Sequence, residues 1–352
     1  MGNPTKDGPL ARRHCAYLDV LRCLAIYLVV GLHSIADPLT NKGLFATRTW
    51  WVLNVCSGLV RMGVPLFFMI SGYLLLSDPR TLDIGKFYRR RLGKLLPPFL
   101  VWDVIYFLKR CAEEAVEPDI LTFFKELASQ GSKYHFWFVY QIIGLYLLMP
   151  FLKRIVDQCT TRELVIFLGV ILLQPTLFRL LNVVQPVIWF NLFRALVEGY
   201  AGFLITGYLL GSRELSRTAR WWIYGLGLVG LVGGAWGNYV FSSPDHIDLV
   251  FNEGYSITHF LTSGACFVLA KQLTGKLPQR LLRGTKKVSH LTYGIYLSHV
   301  LLLDLILQNR WYIMPNQTPA GFTVFSFVVT SLVSTVFVWL VSHVRGLRKL
   351  LM

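Results

Sequence analysis

Charge is what this sequence has least of. Asp, Glu, Lys and Arg make up only 15% of its 352 residues, against about 25% in a soluble globular chain. Hydrophobic residues account for 54%, and the mean hydropathy is +0.51. That balance excludes a soluble cytosolic enzyme. Acidic residues are scarcer than basic ones, 19 against 35 Lys and Arg, for a net charge of +16. No basic patch stands apart from the apolar runs, so the excess does not read as a nucleic-acid surface. Cations beside apolar runs are the mark of cytoplasmic loops. Cys15, Cys23, Cys56, Cys111, Cys159 and Cys266 form no C-x-x-C pair, so neither a disulfide framework nor a metal site is expected. The 352 residues show no repeat or low-complexity tract, and no appended soluble domain is expected among them.

What is present is a series of long apolar runs. A bilayer-spanning helix needs roughly 20 apolar residues, and ten runs approach that length: 16–36, 50–76, 95–112, 135–152, 163–181, 191–211, 221–242, 256–274, 288–308 and 321–343. Lipid offers no partners to backbone N–H and C=O groups, so helix is the expected form. The runs are continuous rather than alternating, which disfavours a β-barrel. The first run ends in His33-Ser34-Ile35-Ala36 without a small-residue cleavage site and reads as a retained span. With ten spans, the tails and even-numbered loops carry 24 Lys and Arg and the opposite loops 8. Both termini are therefore expected in the cytoplasm. The expected fold is an all-α integral membrane protein of about ten helices around a polar cavity, in a cell (inner or plasma) membrane. Residues 1–13 and 346–352 read as cytoplasmic tails and 14–345 as one transmembrane domain.

Ionisable groups inside spans are costly and mark functional candidates. Here they are Arg22, His33, Arg61, Asp103, Glu198, His299 and Asp304. Arg22 and His33 are eleven residues apart, about three helical turns, so they share one face at about 16 Å along the axis. Asp19, three residues before Arg22, can pair with it. One stripe thus carries a cation near the cytoplasmic end and an imidazole deeper in the membrane. For Arg61 a structural ion pair with Glu198 or Asp103 is the simpler reading. Trp50, Trp51, Phe136, Trp137, Trp189, Trp311 and Tyr312 on the far side read as an interfacial belt or, alternatively, as faces for a sugar or lipid head group.

Several segments together resemble the membrane acyltransferase-3 family. Tyr17-Leu-Asp19-Val-Leu-Arg22 followed by His33 is similar to its signature. So are Val64-Pro65-Leu66-Phe67-Phe68-Met69-Ile70-Ser71-Gly72-Tyr73-Leu74 and the basic loop Arg90-Arg91-Leu92-Gly93-Lys94-Leu95-Leu96-Pro97. His135-Phe136-Trp137-Phe138 looks like the family's H-x-W-F segment, and Tyr293-Gly294-Ile295-Tyr296-Leu297-Ser298-His299 like its Y-x-x-Y-x-x-H element. The nearest likeness is to sugar O-acetyltransferases related to the one acting on enterobacterial common antigen. Many members carry R-x-x-R before the proline, where this chain has Arg91-Leu-Gly-Lys94. Lysine keeps the charge and loses the bidentate fork.

The resemblance implies acyl transfer from cytoplasmic acetyl-CoA to a hydroxyl on an extracytoplasmic glycan or lipid-linked saccharide, with no metal. Arg22, Arg90, Arg91 and Lys94 are the candidate CoA ligands, because CoA is polyanionic and arginine matches two phosphate oxygens at once. His33, with Arg22, is the catalytic candidate: a sugar hydroxyl needs a base, and histidine titrates near neutrality. The sequence leaves open whether His33 deprotonates the acceptor or first accepts the acyl group. Ser71, Tyr73 and Arg61 are candidate donors to the tetrahedral intermediate, and His135, Trp137 and His299 complete the expected substrate site. Ser71-Gly72-Tyr73 reads equally well as a helix-packing point, and Lys86 to Lys94 as topology-setting cations that touch anionic lipid. The competing reading is a transporter or flippase without chemistry, but the sequence shows no inverted repeat and no matched pair of broken spans.

Overall fold

In a computed structural model the protein is described over residues 15–184, 200–252, 256–309 and 318–352. Among these residues the chain is helical, with a single isolated bridge between Ser243 and His246 and no strand. The helices are α1 (Ala16–Thr40), α2 (Arg48–Val60), α3 (Gly63–Leu76), α4 (Ile84–Glu114), α5 (Ile120–Ser129), α6 (Trp137–Gln158) and α7 (Thr161–Val184). They continue as α8 (Tyr200–Ser212), α9 (Arg217–Phe241), α10 (Ile257–Leu273), α11 (Gln279–Ser289), α12 (Thr292–Gln308), α13 (Pro319–His343) and α14 (Arg345–Leu351).

Local chemistry sets many of the boundaries. Thr47, Asp83, Asp119, Ser216, Ser256 and Thr318 each cap a helix by accepting a backbone N–H with the side chain. Such caps supply partners to amides that the first turn leaves unpaired. Pro319 follows its cap at the first helical turn, where the missing N–H costs nothing.

Four segments are long and apolar enough to cross a bilayer: Ala16–Thr40, Arg48–Leu76, Tyr134–Gln158 and Pro319–His343. A fifth arises if α11 and α12, bent by 69° at their junction, form one span. The other expected spans at 95–112, 163–181, 221–242 and 256–274 fall on α4, α7, α9 and α10. They fall short by length and composition: α4 opens with a run of cations, and α10 has only 17 residues, several of them polar. Of the run 191–211, residues 191–199, with Arg194 and Glu198, lie outside the described residues, as do Trp189, Trp311 and Tyr312. The outer surface is apolar in the manner of a lipid-facing wall. Trp221, Trp222, Val229 and Trp236 on α9, Val165 and Val170 on α7, and Leu332, Val336 and Leu340 on α13 are all exposed. Apolar exposure on that scale marks an interaction surface, and these are the helices of a membrane protein.

The core lies where α1, α3, α6, α8 and α12 meet, around Leu21, Ile26, Leu66, Met69, Val139, Leu204 and Ile295. Its tightest crossing is α3 on α8. A Cβ on Gly72 would sit 2.0 Å from the Leu204 carbonyl oxygen, and one on Gly207 2.0 Å from that of Met69. Small residues let two backbones touch, the usual device of packed membrane helices. The glycines of α9 act the same way on one face only: Gly227, Gly230 and Gly234 meet Ala265 and Thr258 of α10, while Gly225 and Gly233 face open space.

Candidate active site

Arg22 and His33 both project from α1. The Arg22 guanidinium is held by Asp19, Nη1 to Oδ1 at 3.2 Å, the pairing their spacing predicts. Asp19 is in turn fixed by Ser289, whose hydroxyl donates to the same oxygen at 2.8 Å. Beside Arg22 lies a cavity of about 220 Å³, whose polar lining includes Arg22, Ser71, Arg91, Tyr146, Tyr293 and Tyr296. Two cations and several hydroxyl-bearing residues therefore line one small, mainly apolar chamber formed by α1, α3, α4, α6 and α12.

Tyr296 connects this chamber to a cluster of histidines. Its ring centroid is 5.5 Å from that of His135 and 5.9 Å from that of His299, and its hydroxyl donates to the His135 carbonyl. His299 lies 5.2 Å from His33 and 5.4 Å from His135, centroid to centroid. Tyr134 covers His33 at 5.2 Å. Three imidazoles from α1, α12 and the short turn just before α6 thus converge.

The hydrogen bonds of the cluster are informative. His299 Nδ1 lies 2.6 Å from the Tyr296 carbonyl oxygen. A carbonyl only accepts, so Nδ1 carries the proton and, in the neutral ring, Nε2 keeps its lone pair. Nε2 of His299 and both ring nitrogens of His135 are buried and, although His135 lies beside the Leu297 backbone, make no well-formed hydrogen bond among the described residues. Buried polar atoms are usually satisfied, so these atoms are the groups of the cluster open to water or to a polar ligand. Tyr106 of α4 reaches into the same turn of α12: its hydroxyl donates to the Leu297 carbonyl at 3.0 Å and accepts from the Leu301 N–H at 2.8 Å.

The segment that delivers His135 is pinned from outside. Asp103 accepts the Ser132 N–H at 2.6 Å. Gly131 turns there with φ +78°, a conformation that disfavours a side chain, and a Cβ would lie 3.1 Å from Asp103 Oδ1. Next to it, Lys133 pairs with Asp304 of α12 at 2.6 Å, and Lys109 approaches the same carboxylate at 3.8 Å.

The acyltransferase domain family model, acyltransferase 3, matches residues 16–339. The chain belongs to that family. Neither a curated protein nor a solved structure matches it. Membership makes it an acyltransferase, and the match spans every element that builds the chamber and the cluster.

Within this acyltransferase-3 domain the sequence-read candidates separate into groups. His33, His135 and His299 come together, and Arg22, Ser71 and Arg91 share the chamber. Arg90 faces an adjoining groove with Arg80, Lys86 and Arg89, to which Arg91 also contributes. In that groove Arg80 and Lys86 are taken up by Asp78 and Asp83. The Arg80 guanidinium holds the Asp78 carboxyl below its usual range, and Lys86 does the same for Asp83. Lys94 lies elsewhere, in a cleft between α4, α11, α13 and α14. Arg61 is close enough to act electrostatically on His33, but its Nε donates to Ser57 at 3.3 Å. The expectation that Asp103 pairs with Arg61 is corrected: Asp103 serves the Ser132 turn instead. Tyr73 points away from the chamber, toward Tyr17 and Cys15, and crowds Gly211. Trp137 packs on Tyr200 rather than on the histidines. Tyr106, Tyr134 and Lys133 were not legible as site residues, since tyrosines in apolar runs and a loop lysine carry no distinguishing pattern.

Proposed function

We propose that the protein is a membrane O-acyltransferase that moves an acetyl group from cytoplasmic acetyl-CoA to a hydroxyl of an extracytoplasmic glycan or lipid-linked saccharide. The observation that carries the reading is that Tyr296 lines the Arg22 and Arg91 chamber and also packs against His135 and His299, which lies next to His33. In this reading ten helices span an inner or plasma membrane, with both tails cytoplasmic, and α1 carries one functional group to each end of the path. CoA phosphates dock on Arg22, Arg91 and Arg90, where charge-assisted hydrogen bonds are strongest. The thioester then lies toward the histidines.

His33 accepts the proton of the acceptor hydroxyl as its oxygen attacks the thioester carbonyl carbon. The tetrahedral intermediate collapses with cleavage of the C–S bond, and the departing CoA sulfur takes up the proton. Its negative oxygen needs donors already in place, a role that suits Ser71 or the Arg61 charge. His299, with its proton fixed on Nδ1, offers Nε2 as an acceptor for a second hydroxyl of the saccharide. A two-step course through an acyl-histidine uses the same groups. Grouping with sugar O-acetyltransferases is favoured by the motifs around His33, Ser71 and His299.

The test is consumption of radiolabelled acetyl-CoA by the purified protein in the presence of envelope lipid extract, together with mass spectrometry of envelope glycans with and without the gene. Acetyl-sized mass differences that vanish with the gene, and label transferred to extract, are expected. Transport of label or of a saccharide across vesicles without CoA release would replace this reading with a transporter.

A further inference from the structure

Lys94 leads to a second site. The cleft it lines has a volume of about 1270 Å³ and lies between the first half of α4, α11, the end of α13 and α14. Four cations border it: Lys94, Lys287, Arg348 and Lys349. No acidic residue lines it, and none of the four makes an ion pair among the described residues. Such a concentration of one charge repels itself unless an anion fills it.

The opposite wall is apolar and open. Val336 and Trp339 of α13 border the cleft while 53% and 51% exposed. α13 is the most apolar of the candidate membrane spans, and these residues lie near its last turns. The cleft therefore stands at the level where the hydrocarbon layer meets the polar interface. Tryptophan favours that level, with an apolar ring body and a polar N–H. The cations lie on the three elements that surround this end of α13. The Arg22 chamber is separate: among its lining residues only Arg91 and Leu95 come from the α4 stretch that also bears Lys94, and the Tyr293 hydroxyl closes on the Leu95 carbonyl at 2.8 Å.

From this we infer that the cleft between α4, α11, α13 and α14 binds an anionic phospholipid, its phosphate among Lys94, Lys287, Arg348 and Lys349 and its acyl chains along Val336 and Trp339. Charge complementarity selects the headgroup, and the open apolar wall selects a lipid over a soluble phosphate. Basic pockets between membrane helices near the interface recognise such headgroups.

The experiment uses the full chain purified in detergent and titrated with phosphatidylglycerol or phosphatidylcholine of identical acyl chains. Bound lipid is counted by native mass spectrometry, and the unfolding temperature is followed in parallel. Phosphatidylglycerol should bind more tightly and raise the unfolding temperature, and phosphatidylcholine should do neither. Each cation neutralised to Gln should weaken phosphatidylglycerol binding about fivefold, so K94Q/K287Q/R348Q/K349Q should lose its preference. If the fourfold variant does not fold, Lys287→Glu alone, at an exposed position, should still weaken it more than fivefold, while K94R/K287R should bind as the wild type does. Equal binding of the two lipids, or undiminished phosphatidylglycerol binding by the Gln or Glu variants, would overturn the proposal. So would displacement of phosphatidylglycerol by inorganic phosphate or by acetyl-CoA at equal concentration, which would make the cleft a soluble-anion site.

Discussion

The His33 and His299 rings lie 5.2 Å apart, centroid to centroid, although one comes from α1 and the other from α12. Either imidazole alone would be an unremarked polar residue in an apolar helix. Together with His135 they concentrate imidazoles beside Tyr296, a residue that also lines the chamber holding Arg22 and Arg91.

His33→Ala should leave an inserted, folded protein that has lost acyl transfer by about 10²–10⁴-fold, the usual worth of a positioned acid–base group. His33→Gln keeps hydrogen bonding but is no efficient base, and should be equally inactive. Turnover of labelled acetyl-CoA by each purified variant checks this, and near-normal turnover in the Gln variant would remove His33 from the chemistry. Label retained on wild-type protein without acceptor, and absent from His33→Ala, would establish an acyl-histidine step.

Arg22→Ala should weaken acetyl-CoA binding about ten- to a hundredfold, as loss of a hydrogen bond to a charged group costs about 1.5–3 kcal/mol. Arg22→Lys should restore only part, without the planar fork. Lys94→Gln should leave acetyl-CoA affinity unchanged, because Lys94 lines a different cleft from Arg22 and Arg91. Equilibrium binding measured on all three variants separates the two basic regions, which one-dimensional spacing places together.

Gly72→Ala should destabilise the fold. Its Cβ would meet the Leu204 backbone, which cannot rotate away as a side chain would. Overpacking costs about 1–3 kcal/mol and occasionally more, so a lower unfolding temperature in detergent is expected. Gly233→Ala, on the open face of α9, is the matched control and should be neutral or mildly stabilising, since alanine favours helix by about 0.5–1 kcal/mol.

Cysteines introduced at Lys42 and Glu114 should react with an impermeant thiol reagent in intact cells, and those at Arg80, Arg217 and Gly284 should not. The excess of Lys and Arg in one set of loops motivates the assignment. Labelling of the second set would invert the orientation and move the Arg22 chamber to the outside.

Much of the architecture was legible because apolar runs are local signals. The runs 16–36, 163–181, 221–242 and 256–274 fall on helices that begin at Ala16, Thr161, Arg217 and Ile257, and the Arg22 to His33 stripe follows from helical pitch alone. What remained hidden depends on contacts between distant segments. Nothing in the spacing of Arg91 and Lys94 tells that they serve different cavities, because neighbouring positions on a helix part company only when other helices pack between them. Asp103 looked like a counter-ion for Arg61 because both are charges in apolar surroundings. Its actual partner is a backbone N–H in a loop, a donor that every sequence contains everywhere. Ser71-Gly72-Tyr73 had two readings, and the structure divides them by residue: Gly72 is the packing point, while Ser71 faces the chamber.

The Tyr106 hydroxyl, bonded to both Leu297 and Leu301, locks the register of α4 against α12. Arg91 precedes Tyr106 on α4 by fifteen residues, or about 22 Å of helix. α1 sets a comparable interval of about 16 Å between Arg22 and His33. The two rods therefore act as a calliper whose jaws cannot be adjusted separately. If acetyl-CoA is the donor, as proposed above, one gripped by its phosphates at one end would be gauged by the length of its arm at the other. An arm shorter or longer than that span would present its carbonyl short of, or beyond, the imidazoles. Selectivity for the carrier would then reside in backbone length rather than in the shape of any pocket, and an insertion in either helix would recalibrate it.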